Sequence, residues 1–401
     1  MPATHDVVVA GGGLVGLATA LALSENSRLS LVLLEAEERL AAHQSSHNSG
    51  VIHSGLYYAP DSLKAQTCRE GREALYQFCT AEGIPHRRDG KLVVATRPAE
   101  VVALAQLEAR GRANGLTGVR RLARDELREL EPEVSGLAGL WVPETGVVDF
   151  AQVAAALARR VRAAGVEVRT GTRVLSARED GSAIVVVTSR GELRASLLVV
   201  CAGLHADRVA RACGVDPGMM IIPFRGEYYD LLPERRELVR HPIYPVPDPQ
   251  LPFLGVHFTR TIDGHVHAGP NAVLALKREG YVRTDVSPRD VAEMLSFVGF
   301  WRMAARYWQT GVAELARSLS KAAFVRALQR LVPNLRADDV VPGGSGVRAQ
   351  AVDRSGQLIG DFLIAEGKRS LHVLNAPSPA ATACLSIGRH IAGRARVLLG
   401  R

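Results

Sequence analysis

The stretch Asp6-Val7-Val8-Val9-Ala10-Gly11-Gly12-Gly13-Leu14-Val15-Gly16 decides how the chain begins. Residues 6–10 run apolar, as a strand buried on both faces does. Gly11, Gly13 and Gly16 then carry G-x-G-x-x-G spacing, and Leu14 to Ser24 reads as a helix. Leu29 to Glu35 (Leu-Ser-Leu-Val-Leu-Leu-Glu) reads as a second strand and completes a strand–helix–strand unit. Each glycine has a task in such a unit. Gly11 permits the tight turn, Gly13 lets a diphosphate approach the backbone, and Gly16 lets helix and strand pack closely. Leu14 and Val15 open the helix, whose N-terminus offers unpaired N–H groups and partial positive charge. Glu35 lies close to the offset of about 20 residues at which an acid holds ribose hydroxyls. A glycine motif alone marks only a turn; in this setting it predicts a dinucleotide site.

Just beyond, residues 43–58 read His-Gln-Ser-Ser-His-Asn-Ser-Gly-Val-Ile-His-Ser-Gly-Leu-Tyr-Tyr. Small polar residues and glycine, including Ser46, Asn48, Ser49 and Gly50 before Val51, can wrap an extended dinucleotide at close range. A simple NAD dehydrogenase has no clear need for such a segment, so it favours FAD. Asp61 to Glu82, Pro98 to Asn114 and Phe150 to Ala164 read as helices, the last two ended by Gly115 and Gly165. Lys91 to Ala95, Val166 to Arg169, Ala183 to Thr188 and Leu197 to Cys201 read as strands. From Met219 to Ala268 the texture turns β-rich and antiparallel, with Gly226 to Leu231 and Gly255 to Thr261 as strands and prolines crowding 242–252. Pro288 to Arg330 reads as helical, Val347 to Phe362 and Leu371 to Leu374 as strands, and Pro379 to Leu399 as a last helix. The expected architecture is a mixed α/β (α+β) fold. Segments 1–85, 146–217 and 340–401 would form a nucleotide domain. Segments 86–145 and 218–339 would form an inserted substrate domain on a mostly antiparallel sheet.

Composition narrows the class. A chain of 401 residues exceeds one simple core, and 47% hydrophobic with 22% charged residues is an ordinary globular balance. No apolar run reaches the roughly 18–20 residues that span a bilayer. The start lacks a targeting pattern, so the expectation is a cytoplasmic protein beginning near Met1. Cys68, Cys79, Cys201, Cys213 and Cys384 are scattered without a C-x-x-C pair, which fits reduced thiols better than disulfides or zinc. The net charge of +8 suits anionic partners, but the arginines are dispersed and no nucleic-acid module is recognisable. Phe297, Phe300, Trp301, Ala304, Trp308, Leu315 and Leu319 share one helical face, opposite Arg306 and Arg317. The simpler reading buries that face in the core. The alternative lays it on a bilayer, making the protein peripheral on the inner membrane.

His47-Asn48-Ser49-Gly50-Val51-Ile52-His53-Ser54-Gly55 resembles the flavin-approach loop of L-2-hydroxyglutarate oxidases and dehydrogenases. More distantly, Ile52 to Gly55 resembles the matching loop of FAD-linked glycerol-3-phosphate dehydrogenases. The likeness continues in order through Gly90–Ala95, Glu144–Asp149, Pro223–Tyr229, Leu254–Arg260, Gly346–Gln350 and Leu374–Thr382, nearly the whole chain. It implies the D-amino-acid-oxidase architecture, with FAD held non-covalently across a Rossmann-like domain and a small dicarboxylate substrate over the flavin ring. The implied reaction is oxidation of L-2-hydroxyglutarate to 2-oxoglutarate, with a hydride leaving Cα for flavin N5 and electrons passing to oxygen or a quinone.

That chemistry needs a base, and His53 and His257 are both candidates. Arg348 resembles the substrate-carboxylate arginine of related amino-acid oxidases, since its planar fork suits a carboxylate. Arg225, Tyr228 and Lys91 are candidates for the second carboxylate. By the resemblance, the backbone of Val174 meets the adenine, and Ala202 and Gly203 pass close to FAD. Ser378-Pro379 reads as N-cap and first helical residue. That helix end, with Ala380 and Ala381, would face the flavin edge where negative charge collects on reduction. His265 and His267 alternate on a strand with no third ligand at sensible spacing, so no metal is expected. Other readings stay open: a related oxidase acting on an amino acid or glycerol 3-phosphate, or a flavin-bound sensor without turnover.

Overall fold

The structure is a computed structural model and describes residues 4–25, 28–248 and 254–400. Of the proline-rich stretch 242–252, residues 249–252 lie outside the described residues.

Thr4–Ala10 forms the centre of an eight-stranded sheet, with Val7, Val8 and Val9 fully buried. It pairs in parallel with Gly191–Val200 on one side and Leu31–Leu34 on the other, and Leu31–Leu34 pairs in parallel with Glu167–Arg169. Ser370–Asn375 joins beyond Gly191–Val200, again in parallel. A parallel sheet must be covered on both faces. One face is covered by the helices Leu14–Ser24, Phe150–Ala163 and Cys384–Leu398, which share a core with Val7 and Val9. The glycine turn and its helix therefore sit at the carboxyl end of the central strand, where open α/β sheets bind ligands.

The second sheet has nine strands and is antiparallel apart from the pairing of Leu92–Ala95 with Ile243–Pro245. Its longest ladder joins Met219–Leu231 to Val340–Asp353, from Met219 opposite Asp353 to Leu231 opposite Val340. Residues 340–353, grouped above with the nucleotide segments, thus belong to the substrate-side sheet. Residues 146–148 likewise pair with Val51–Ile52 and His86–Arg87 in a small third sheet. The apolar pattern of a strand shows that it is buried and leaves its ladder partner undetermined.

Two helical expectations change. Residues 379–383 form a turn, with Ala383 N–H donating to the Pro379 carbonyl at 2.9 Å, and the last helix starts at Cys384 with no side-chain cap. Ser378 is therefore not its N-cap. The 288–330 region is three helices: Pro288–Ser296, Val298–Leu319 and Lys321–Leu328. Ser287 and Ser320 cap the first and third, and Val298–Leu319 is kinked at Tyr307. The apolar face expected to be buried divides. Phe300 packs with Met303 on Met220, Ile222 and Val352, while Trp301 (56% exposed), Trp308 (61%) and Leu319 (70%) face outward. An amphipathic pattern locates a face; the kink and the direction of docking decide how much of it reaches the core. Among the described residues no helix is long and apolar enough to cross a membrane.

A buried ion pair ties the two sheets together. Asp207, fully buried behind the strand Gly191–Val200, meets Arg278 through both oxygens, one at 2.9 Å, and accepts the Ile221 backbone N–H at 3.2 Å. Removing one partner leaves a buried charge uncompensated, so Asp207→Ala should cost about 3–5 kcal/mol and lower the thermal unfolding midpoint markedly. Arg278, with Arg211, holds the Asp207 carboxyl below its ordinary range against the opposing effect of burial. Its contribution is accordingly present above the unfolded carboxyl pKa and lost as pH falls through the folded value. The wild-type midpoint should drop with acidification over that range more steeply than the midpoint of Asp207→Ala.

Candidate active site

The glycine turn leaves no room for side chains. Gly11 has φ +115°, and a Cβ there would stand 2.3 Å from the Cys201 carbonyl oxygen. A Cβ on Gly16 would stand 1.9 Å from the Gly11 carbonyl oxygen, so helix and strand are in contact at that point. No side chain caps the helix at Gly13. The Glu35 carboxylate closes the turn, accepting the N–H groups of Gly12 at 2.7 Å and Glu37 at 2.9 Å. A carboxylate has lone pairs left for ribose hydroxyls after two such bonds. The amides of Val15 and Gly16 at the helix start, a cradle that a Cβ would fill and an acid beside it fit the diphosphate and ribose of a dinucleotide.

The 43–55 loop runs from this cradle to the chemistry. Ser45, not singled out above, lies at the helix N-terminus, its hydroxyl accepting the Leu14 N–H at 3.0 Å. The Ser46 hydroxyl donates to the Ala41 carbonyl and Asn48 binds the Gln44 and Ser45 carbonyls, so both brace the loop. Gly50 turns at φ +71°, where a Cβ would meet the Val148 carbonyl at 2.8 Å, and Val51 starts the short strand after it. Farther on, Thr382 accepts the His53 backbone N–H at 3.0 Å, docking the loop against the turn that holds Ala380 and Ala381 before the last helix. Arg72 and Asn114 bind the Ser54 and Gly55 carbonyls. Val174 starts an edge strand opposite Thr188, while Ala202 and Gly203 (φ +50°) follow the strand Gly191–Val200 next to the central one. The Ser49 side chain makes no hydrogen bond among the described residues.

His53 and Tyr228 are half-buried, and Arg348 keeps an exposed side chain. His53 comes from the loop, while Arg348 and Tyr228 come from the long ladder of the second sheet. The ring nitrogens of His53 make no hydrogen bond among the described residues. Burial first, then positive charge on Lys91, His257, Lys64 and Arg348, pushes His53 down to about 3. Burial likewise takes His257 down to about 4, against its bond to the Gly255 carbonyl. Both imidazoles are therefore neutral near pH 7 and able to accept a proton. A carbonyl can only accept, so the 2.9 Å contact between His257 Nδ1 and the Gly255 oxygen puts the proton on Nδ1 and leaves Nε2 as the acceptor. Burial pushes the Tyr228 phenol up to about 12, opposed by Arg348, so it stays a hydrogen-bond donor.

Arg225 is directed elsewhere. Its Nε and Nη2 bind Glu227 Oε1 at 3.2 and 3.0 Å, and Nη1 binds the Val282 carbonyl at 3.2 Å. Glu227 also receives Arg283, Ser318 and Asn271. The guanidinium is committed to holding the 270–285 segment rather than to a ligand. His267 pairs with Asp230 and His265 with Arg236, and among the described residues no three His, Cys, Asp or Glu side chains gather as a metal site.

The family pattern described as "DAO: FAD dependent oxidoreductase" matches residues 6–394. The L-2-hydroxyglutarate dehydrogenase of Indibacter alkaliphilus is 50% identical over 385 residues, covering 96% of each chain. This chain belongs to the L-2-hydroxyglutarate dehydrogenase family of FAD-dependent oxidoreductases. The Escherichia coli L-2-hydroxyglutarate dehydrogenase is 45% identical over 399 residues, covering 98% of this chain and 94% of that one. Among solved structures, the dithionite-reduced L-α-glycerophosphate oxidase of Mycoplasma pneumoniae with FAD bound superposes with a TM-score of 0.81 at 23% identity, over 99% of this chain and 95% of that one. Glycine oxidase from Bacillus cereus gives 0.71 at 16% identity, over 99% and 95%. Those two likenesses establish the shared fold, and the family description establishes FAD as cofactor. Within this L-2-hydroxyglutarate dehydrogenase family member, Ser45 and Thr382 lay inside quoted motifs but gave no separate signal. Tyr244, whose ring stacks on His257 at 4.0 Å, stood among prolines and gave none at all.

Proposed function

We propose that the chain oxidises L-2-hydroxyglutarate to 2-oxoglutarate, with His53 as base. The observation that carries this reading is His53 on the docked loop, its ring nitrogens without a hydrogen bond among the described residues and its imidazole kept neutral first by burial and then by the charge of Lys91, Lys64 and Arg348. The names of its relatives supply the substrate. FAD, when bound, accepts the hydride from the substrate Cα. The glycine turn of Gly11, Gly13 and Gly16, with the Val15 amide, the Ser45 hydroxyl that holds the Leu14 amide, and the Glu35 carboxylate, would hold its diphosphate and ribose.

Arg348 binds the carboxylate next to the reacting carbon, and the Tyr228 phenol donates beside it. His53 takes the hydroxyl proton. The same cations that lower its pKa are offset when a dianionic substrate enters, so its proton affinity rises as the substrate binds. His257, with Nδ1 on the Gly255 carbonyl and Nε2 left as acceptor, orients the hydroxyl. Arg348→Met should reduce kcat/KM roughly tenfold to a hundredfold, the worth of a charge-assisted hydrogen bond of about 1.5–3 kcal/mol. Steady-state kinetics with unchanged flavin content would check it.

The test of the reaction is anaerobic. L-2-Hydroxyglutarate should bleach the flavin band of the purified protein, while the D-isomer, L-lactate and glycerol 3-phosphate should not. Bleaching by another of these, with the L-isomer inert, would overturn the substrate assignment. Oxygen or a quinone then removes the electrons, and adding each to the bleached protein distinguishes them. The outward-facing Trp301, Trp308 and Leu319 favour a carrier at a membrane surface.

A further inference from the structure

Lys91 is buried, 1% exposed, and immediately precedes the strand Leu92–Ala95. Its backbone is fixed by reciprocal bonds to Val142, Lys91 N–H donating at 3.1 Å and its carbonyl accepting at 2.9 Å. Among the described residues its ammonium has no carboxylate partner and no hydrogen bond. It lies 4.3 Å from the centre of the Tyr57 ring and 4.9 Å from that of Tyr244. Burying an ammonium with only ring faces for company costs more than those faces give back. Beside it, the Tyr57 hydroxyl is also buried without a hydrogen bond among the described residues, and the buried hydroxyls of Tyr244 and Thr259 have only each other as neighbours. Each arrives from a different part of the chain: the approach loop, Ile243–Pro245 and His257–Arg260.

These groups share one property. An ammonium offers three donors and each hydroxyl one, and among the described residues no protein acceptor meets the Lys91 ammonium or the Tyr57 hydroxyl. Their complement is a group with several lone pairs and a negative charge, which describes a carboxylate. Both His53 and His257 feel the charge of Lys91 and of Arg348, so the two histidines stand within electrostatic reach of both cations. Burial also draws Lys91 down to about 7, so an arriving anion would restore its full charge.

We propose that Lys91, Tyr57 and Tyr244 form the subsite for the distal carboxylate and so set the preference for a dicarboxylic over a monocarboxylic 2-hydroxy acid. This rests on the substrate reading above. Arg348 holds one end of the molecule, Lys91 the other, and the histidines face the carbon between. Arg225, the sequence candidate for the task, is occupied by Glu227.

The test compares L-2-hydroxyglutarate with L-2-hydroxyvalerate, which keeps the five carbons and replaces the distal carboxylate by a methyl group. In the holoprotein, Lys91→Met should reduce the ratio of the two kcat/KM values by about tenfold to a hundredfold. Tyr57→Phe removes only a hydroxyl and should reduce the ratio by a smaller factor, which keeps the test valid if Lys91→Met loses its flavin. Equal losses on both substrates, or no loss, would overturn the subsite while leaving the reaction intact. A binding arm separates the two ideas. Glutarate should perturb the wild-type flavin spectrum at lower concentration than valerate, and Tyr57→Phe should narrow that gap. Protein inert toward L-2-hydroxyglutarate that still shows this preference would retain the subsite and lose the substrate reading. Wild-type protein with equal affinity for both anions would lose the subsite.

Discussion

Gly16→Ala should be purified colourless, or not at all. The added Cβ would lie 1.9 Å from the Gly11 carbonyl oxygen and 3.0 Å from its carbon, which is backbone and cannot swing aside as a long side chain can. To make room the helix Leu14–Ser24 must lift from the strand Thr4–Ala10, and the amides at its N-terminus move with it. Those amides would form the floor of the proposed diphosphate site, so packing strain of about 1–3 kcal/mol is concentrated where the cofactor is proposed to bind. Gly11→Ala should act alike, since it adds a forbidden φ of +115° to a 2.3 Å clash with Cys201. The control is Gly393→Ala in the last helix, where a Cβ meets nothing within 4 Å. That change should keep full flavin content and stabilise the helix by up to about 1 kcal/mol. The ratio of flavin to protein absorbance after gel filtration reads all three. Normal flavin in Gly16→Ala would show that the cradle is not the cofactor site.

His53→Asn should keep its flavin and lose kcat by roughly 10²–10⁴-fold, the usual span for a missing general base. Retention is expected because the loop is held by its backbone: His53 N–H on Thr382, and the Ser54 and Gly55 carbonyls on Arg72 and Asn114. None of these bonds uses the imidazole. His257→Asn should cost less, because the ring it removes serves by packing on Tyr244 and by orientation. Rapid-reaction reduction of the flavin by substrate isolates the chemical step from reoxidation. If His257→Asn loses the larger factor, the two roles exchange. Both imidazoles are held neutral far below neutral pH, so the free protein should show no loss of reduction rate from their protonation between pH 5 and pH 8, a window well above about 3 and about 4.

The sequence alone determined the glycine turn, because three glycines at fixed spacing between an apolar strand and an apolar helix satisfy a backbone requirement that is local. It determined the helix Leu14–Ser24 to the residue and the antiparallel character of the region after Met219, for the same reason: periodicity and turn chemistry act over a few neighbours. The motifs from His47 to Gly55 and from Leu374 to Thr382 carried the family, although 327 positions separate Asn48 from Asn375 in the chain.

Only the tertiary structure decided which strand pairs with which. Val340–Asp353 could be read as buried β-structure, but its thirteen-residue partner Met219–Leu231 is set by packing across more than a hundred residues of chain. It also decided the fate of the cations. Arg225 and Lys91 are both candidates in sequence, with Arg225 the stronger of the two. Glu227, two residues along the same strand, neutralises the first, whereas aromatic rings from two distant segments enclose the second. Whether a buried charge is satisfied depends on which side chains surround it in three dimensions, and that arrangement exists only once the sheets have closed on each other.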